Sequence, residues 1–552
     1  MAMVGWISYQ KTKGEVDTKE GYFLAGRGLT GTFIAGSLLL TNLSAEQLIG
    51  LNGSAFGFNM TAMAWEVTAG IAIIVMALVF LPKYLGGAFS TLPQFLEDRF
   101  DPGVRRLTVV LFLFGYGLIT IPSILYSGSL AVLRLFDVPQ LLGVGFESGL
   151  ILTILVIGIV GGIYAIFGGL RAVAVSDTIN GVGLLIVGTL VPIFGLIALG
   201  DGDMARGMQI VLTEDTQKLN AIGTATDPVP FGTLFTGMIL ANLFYWGTNQ
   251  YVIQRTLGAK NLSEGQKGVL LSGFFKLLVP FFMMLPGIIA YHLYQDGLSH
   301  MDLAYPTLVA DVLPVYLAGF FLAVLLGAVF SSFNSLLNSA ATLFCLDVYQ
   351  PMKKEAVDDA KLIRIAKIAS LVIALFSFAA APLLQYAPEG LWQIIRIFTG
   401  FYNIPVITLV LVGLFTKRVP ALAAKVAVGF HVIAYGLLQF VFDSGINFIH
   451  IYAILFVAEV VIMLVIGRFS PRAEPWQYTA VDVVDMTPWR FAVPTAVLLA
   501  AGIVLTYLLF SPLGLAGEMG GAFWGWVGLT LLATAVACWW GDQRWQRRYA
   551  AT

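Results

Sequence analysis

Leu38-Leu39-Leu40-Thr41-Asn42-Leu43-Ser44-Ala45-Glu46-Gln47-Leu48-Ile49-Gly50 is an apolar run with Asn42, Ser44, Glu46 and Gln47 set into it. A carboxyl and two amides at membrane depth are costly unless they face a cavity, a partner or a bound ion. Gly36, Gly50 and Gly53 flank them. The pattern predicts a broken helix whose freed backbone carbonyls line a site. It points to a membrane protein that binds a small polar solute near the bilayer midplane.

The rest of the chain agrees on the class. Of its 552 residues 58% are hydrophobic and 11% charged, with mean hydropathy +0.85; a soluble chain carries about 25% charged residues. A span needs roughly 20 apolar residues, so this length allows more than a dozen, with the lipid bilayer as the chain's main partner. The net charge of −1 gives no global field for nucleic acid. Cys345 and Cys538 lie in apolar stretches and are too few for a disulfide framework. The longest polar stretch, 200–230, reads as one long loop. Residues 2–9 are apolar, too short to span and unlike a signal peptide. They look like the tail end of a helix, so either the start codon is misassigned or the chain lacks a first span.

Apolar segments fall at 30–53, 58–85, 106–133, 149–168, 172–199, 231–253, 267–295, 312–346, 363–386, 389–415, 420–442, 448–467, 489–511 and 521–541. Pro306 and Pro314 mark the start of 312–346 as a separate turn. Lys and Arg concentrate in alternate loops: 10–28, 83–106, 169–171, 254–267, 347–367, 416–419 and 468–490, then the C-terminal tail. The positive-inside rule puts these in the cytoplasm and the C-terminus inside, across a bacterial inner membrane. Two blocks of five spans, 30–199 and 231–415, each open on a polar-interrupted helix. The second opener, Leu240-Ala241-Asn242-Leu243-Phe244-Tyr245-Trp246-Gly247-Thr248-Asn249-Gln250, mirrors the first. Five is odd, so the second block is inverted, and inverted repeats hold substrate at their interface. The predicted order is a segment 1–29, a repeat 30–199, an external loop 200–230, a second repeat 231–415, and four further helices in 416–552.

Other polar residues lie deep in apolar runs. Lys276 and Glu66 read either as a charged pair gripping a polyhydroxylated solute or as a structural ion pair locking two helices. Ala328, Ser331 and Ser332 share one helical face. Two hydroxyls plus carbonyls from a broken helix suit a small hard cation, though Ser is also common at close helix contacts in membranes. Asp177 either guides cations inward or is a hydrated carboxylate near a helix end. Arg396 sits about seven residues into its helix, roughly 10 Å at ~1.5 Å per residue, and needs an anion. Glu66, Glu46 or an acidic group on the substrate would serve, unless the helix starts later and Arg396 snorkels. Trp65, Tyr245 and Trp392 lie beside these groups and read as rings stacking on a solute or as plain packing.

Taken together these motifs resemble the solute:sodium symporter family, most closely its sodium/sugar cotransporter branch. The resemblance runs from Gly21-Tyr22-Phe23-Leu24-Ala25-Gly26-Arg27 to about residue 420. It is carried by Asn42–Gln47, by Ala241–Leu257, by Lys276-Leu277-Leu278-Val279-Pro280 and by Ser331-Ser332. It implies an all-α polytopic fold of the leucine-transporter type, a 5+5 inverted repeat with extra C-terminal helices, and sodium-driven uptake by alternating access. By position it implies a Na+ site from the carbonyls of Leu40, Leu43 and Ala328 and the hydroxyls of Ser331 and Ser332. It places sugar contacts on Gln47, Glu66, Asn242 and Lys276, with Asn42 and Arg396 beside them. Tyr245 matches the inner gate, flanked by Trp65 and Trp392, and Asp177 the ion exit. Members with a second sodium carry a hydroxyl where this chain has Ala328, so one sodium is expected. Two departures stand out. A sugar-site serine is Ala69 here, and a sugar-contacting glutamine aligns with Arg396. A permanent cation in place of an amide favours a sugar-like solute bearing an acidic group (a uronate, sialate or sulfo-sugar) over plain galactose or glucose. The competing idea is a neutral sugar with Arg396 neutralised by Glu66.

Rival functions fit less well. A family symporter for carboxylates or amino acids leaves Lys276 and Glu66 less explained. A proton-coupled carrier would use Glu46 or Glu66 as relay. An enzyme has little support: the chain has no His-Glu-x-x-His, phosphate loop or nucleophile elbow, and its four His are scattered.

Overall fold

The predicted break falls at Leu43–Ser44. In the computed structural model, which describes residues 24–298, 301–353, 357–386, 391–442, 444–481 and 484–549, helix α1 (Gly31–Asn42) stops there and α2 (Ala45–Gly57) restarts. Leu43 leaves the helical region (φ −81°, ψ 82°) and Ser44 is extended (φ −104°, ψ 173°), the backbone of an N-cap. The second opener breaks in the same way. Helix α7 (Gly237–Gly247) gives way to α8 (Gln250–Leu257) across Thr248 and Asn249.

Around these run α3 (Met60–Gly86), α4 (Pro102–Leu133), α5 (Phe146–Leu199), the short α6 (Met204–Thr213), α9 (Leu262–Tyr294), α10 (Ala304–Val312), α11 (Val315–Met352), α12 (Asp359–Gln385) and α13 (Leu391–Phe415). Four helices complete the chain: α14 (Ala421–Phe440), α15 (Phe448–Phe469), α16 (Ala492–Leu509) and α17 (Gly521–Tyr549). Among the described residues eleven helices are long and apolar enough to cross a membrane. The two broken helices and the shorter apolar Phe146–Gly162 cover the three remaining expected apolar segments.

Two expectations change. Residues 169–171 are not a loop: α5 is a 54-residue series of helical turns, and Gly168-Gly169 does not interrupt it. At ~1.5 Å per residue that is about 81 Å, long enough to contain both expected apolar segments. Nor is 200–230 irregular throughout. Asp203 accepts from Ala205 N (2.9 Å) at the N-cap of α6, whose Met204, Met208 and Val211 recur at helical spacing. Pro314 divides α10 from α11, as read. The stub at 2–9 lies outside the described residues.

Contacts between loops test the alternation. Arg27 donates to Ala88 O (3.1 Å) and Leu29 N to Gly258 O (3.0 Å). Arg105 donates to Leu346 O (2.7 Å), Arg99 to Thr416 O (3.1 Å) and Arg472 N to Arg418 O (2.8 Å). All join Lys/Arg-rich loops to one another. At the opposite end Lys218 donates to Phe56 O (2.8 Å), Asn59 to Asp227 (2.9 Å) and Asn447 to Pro228 O (3.2 Å). Ala221 N donates to Phe510 O (2.7 Å). Basic loops gather at one end and charge-poor loops at the other.

Candidate functional site

The two breaks face a common interior. Two small adjoining chambers share Asn42 from the first break, Tyr245 from α7, and Arg396 and Asn403 from α13. The larger is completed by Glu46, Gln47, Thr120, Phe244, Asn249, Tyr251, Trp392, Ile395, Thr399 and Tyr402. The smaller adds Trp65, Glu66, Ala241, Asn242 and Trp246.

The wall is built by hydrogen bonding. Gln47 Nε2 donates to Glu66 Oε1 (2.9 Å), and Lys276 Nζ pairs with Glu66 Oε2. Asn242 Nδ2 donates to Thr68 Oγ1 (2.9 Å). Lys276 also lies 5.5 Å from the Trp246 ring and is absent from the residues lining either chamber. Of the six expected solute contacts, five reach the chambers, while Lys276 stands behind Glu66 and neutralises it. The pair therefore locks α3 to α9. The idea that Glu66 neutralises Arg396 is corrected by the same contact, because Glu66 is taken by Lys276.

Arg396 has no carboxylate within 4 Å among the described residues. Its guanidinium lies 4.7 Å from the Trp65 ring and 4.1 Å from the Trp392 ring. It lines both chambers, so it does not snorkel. Two indoles attract the cation by about 0.5–2 kcal/mol each, and Glu46 shares the larger chamber's wall with it beyond ion-pair distance. Trp65 and Trp392 thus embrace Arg396. Trp392 also covers α2: a Cβ on Gly50 would stand 3.1 Å from the indole.

Unpaired atoms map the chamber's polarity. Buried and without a hydrogen-bond partner are Asn42 Oδ1, Glu46 Oε2, Gln47 Oε1 and Asn403 Oδ1, all on the larger chamber's wall. Two donors on the same wall, Arg396 Nε and Trp392 Nε1, are also unpaired. A complementary solute offers hydroxyl donors toward α1–α2 and an acceptor, best an anion, toward α13.

The break also frees the carbonyls expected for an ion. Ser44 N, which an unbroken helix would give to Leu40 O, goes to Asn42 O (3.0 Å); Gln47 N, due to Leu43 O, goes to Ser44 O (3.1 Å). Helix α11 packs against α1 with Ala328, Ser331 and Ser332 buried on it, and Ser331 Oγ has no partner among the described residues. Uncharged oxygens of this kind suit a small hard cation. The side chain of Asp177 lies outside the described residues.

At the basic end of the chamber Tyr245 accepts from Tyr251 OH (2.7 Å). Tyr116 OH donates to Asn249 Oδ1 (2.6 Å) and accepts from Tyr251 N (3.2 Å). Helix α8 is pinned beyond it: Arg255 donates to Ser37 Oγ (2.6 Å) and to Ser335, and Gln254 to Thr342 Oγ1 (3.0 Å). Sequence reading missed Thr120, Tyr402 and Asn403. Thr120 sits in a π-helical turn, Tyr116–Thr120, which no periodicity signals. Asn403, a lone amide near Pro405 and seven residues from Arg396, was the legible one.

Comparison with known proteins is consistent with this geometry. Residues 22–430 match the model of the sodium:solute symporter family. A curated relative printed as "Uncharacterized symporter YidK", from Escherichia coli (strain K12), is 46% identical over 490 residues, covering 89% of this chain and 85% of that protein. The sodium/glucose cotransporter of Vibrio parahaemolyticus is 33% identical over 452 residues, covering 77% and 80%. Among solved structures, a Na+-coupled sialic acid symporter in a substrate-bound outward-open state superposes with TM-score 0.74 at 22% identity, over 86% of this chain and 96% of that one. The fold is the leucine-transporter-type 5+5 inverted repeat with additional C-terminal helices.

Proposed function

The chain belongs to the sodium:solute symporter family, an integral multi-pass membrane protein coupled to sodium, and from that premise we propose that it imports a sugar-like solute bearing an acidic group, together with one sodium ion. The observation that carries this is Arg396: a cation on the wall of both chambers, held between two tryptophans with no carboxylate within 4 Å. The acidic group sits on Arg396 and Trp392, and the hydroxyls face Asn42, Glu46, Gln47 and Asn403. Sialic acid, the solute of one fold neighbour, is of the same chemical class.

In this scheme sodium takes the Leu40, Leu43 and Ala328 carbonyls and the Ser331 and Ser332 hydroxyls, joining α1 to α11. Ion and solute share the α1–α2 break, so each favours the other's binding. The membrane potential adds about 2.3 kcal/mol per charge at 100 mV. The basic end faces the cytoplasm of a bacterial inner membrane, with the C-terminus inside. Tyr245 then blocks inward exit until its bond to Tyr251 yields.

Counterflow in proteoliposomes with and without sodium, comparing glucuronate and N-acetylneuraminate with galactose and glucose, tests the reading. Wild-type protein is expected to prefer the acids, and Arg396→Gln to lose that preference. An Arg396→Gln variant whose ranking of neutral and acidic sugars matches wild type would end the acidic-solute proposal.

A further inference from the structure

Helices α14 and α15 lie outside the inverted repeat, yet four of their polar side chains are buried against the turn of α13 that bears Arg396. Tyr452 OH donates to the Arg396 carbonyl (2.5 Å) and Tyr435 OH to the Ile397 carbonyl (2.7 Å). His431 Nε2 lies 3.0 Å from the Gly400 carbonyl, and its Nδ1 2.5 Å from Glu459 Oε1. A carbonyl only accepts, so Nε2 carries a hydrogen. Nδ1 and Oε1 are each other's polar partner. That is how a carboxyl and an imidazole can be tolerated at membrane depth.

Hydrogen bonds are not the whole of the grip. The His431 and Tyr435 rings stack at 5.5 Å, and Tyr435 meets Tyr452 at 5.8 Å. Gly400 lets them close in: a Cβ there would come within 2.5 Å of the Tyr435 hydroxyl. Beyond it Pro405 lacks the N–H that would bond the Phe401 carbonyl, so α13 is weakest just where these groups hold it. Packing of α14 and α15 alone calls for apolar side chains. Three donors aimed at three carbonyls within five residues of Arg396 fix the rotation and height of one helical turn.

We propose that Tyr452, Tyr435 and the His431–Glu459 pair are positioning residues for Arg396, setting how its guanidinium enters the chamber, so that helices outside the repeat tune solute affinity. This rests on Arg396 being the solute's anchor. Tyr452→Phe removes one hydroxyl and keeps the ring. Its effect is read as a cycle with Arg396→Gln on sodium-driven uptake of glucuronate and of galactose. Tyr452→Phe is expected to raise KM about fivefold, the scale of one hydrogen bond, with Vmax kept, and to have no further effect in Arg396→Gln. Equal effects in both backgrounds, or a fall in Vmax at constant KM, would mean that the hydroxyl serves packing only. A second arm needs no solute. With Cys345 and Cys538 replaced by alanine, the reactivity of Arg396→Cys toward a water-soluble thiosulfonate is measured with and without Tyr452→Phe. About a fivefold change in rate is expected, and an unchanged rate overturns the proposal. If neither sugar is transported but the rate changes, the solute reading fails while the positioning role stands. Should Tyr452→Phe not fold, Tyr435→Phe replaces it in both arms with the same expectations.

Discussion

Replacing Lys276 by methionine separates a lock from a grip. The Lys276 and Glu66 side chains are 4% and 2% exposed, and each is the other's only opposite charge within ion-pair distance among the described residues. With Lys276→Met, Glu66 keeps one neutral bond, from Gln47, and its charge is left buried. Removing one member of a buried pair costs about 3–5 kcal/mol, or roughly two to three and a half decades in an equilibrium constant. The double variant Lys276→Met with Glu66→Gln leaves no charge behind, and replacing both partners of a buried pair is often close to neutral. The expected order of heat resistance is therefore wild type close to the double variant, with Lys276→Met well below both. Detergent-solubilised protein heated in steps and passed over a sizing column gives this order from the surviving monodisperse peak. Lys276→Met as robust as wild type, or a double variant as fragile as the single, would refute the reasoning. Uptake by the stable double variant then asks whether Glu66 also holds solute.

Other expectations follow from the geometry. Ser331→Ala removes an unpartnered hydroxyl from the face toward α1 and should weaken half-saturation by sodium about tenfold with solute affinity at saturating sodium kept, read from uptake against sodium concentration. Gly50→Val places branched atoms where even a Cβ would stand 3.1 Å from Trp392; uptake should fall severalfold, while membrane expression, read on a blot, persists. At the charge-poor end the Asp227 carboxyl is partly desolvated, which by itself raises its pKa, but Thr224 N (2.6 Å), Thr224 Oγ1 (2.7 Å) and Asn59 Nδ2 (2.9 Å) hold it below the usual carboxylate range. A depressed folded pKa gives stability that is present above the ordinary value and lost as pH falls through the folded one. Proteolysis at 223–231 should therefore accelerate only in acid below the ordinary carboxylate range, and Asp227→Asn should show the faster cleavage already at neutral pH.

Much of this was legible because the bilayer restricts the chain to few options. Asn42 and Glu46 in an apolar run announce a break, since hydrocarbon tolerates amides and carboxyls only where something else receives them. The loop alternation was readable because Arg27, Arg99 and Arg105 sit at one end, where they bond to carbonyls of neighbouring basic loops. The partner of Lys276 was not legible. Nothing in one dimension says whether Glu66 points toward it, 210 residues away along the chain, or toward the still more distant Arg396. The helical course of 169–171 escaped for the opposite reason: two glycines and an arginine carry turn-like chemistry, yet a glycine inside a helix costs only about 1 kcal/mol. His431 and Glu459 went unremarked because each is a single polar residue in an apolar helix, given meaning only by the carbonyls it meets.

The joint between α1 and α2 turns two peptide oxygens, at Leu40 and Leu43, away from their own helix. Oxygens in that condition attract whatever positive or hydrogen-bearing species can reach them, and leaving them unpaired in hydrocarbon is costly. Under the proposed function an arriving guest would meet that need, and its departure would leave it open again. Because the same few peptide units also carry Asn42 and begin the run to Gln47, the filling of those oxygens would be felt on the far side of the break.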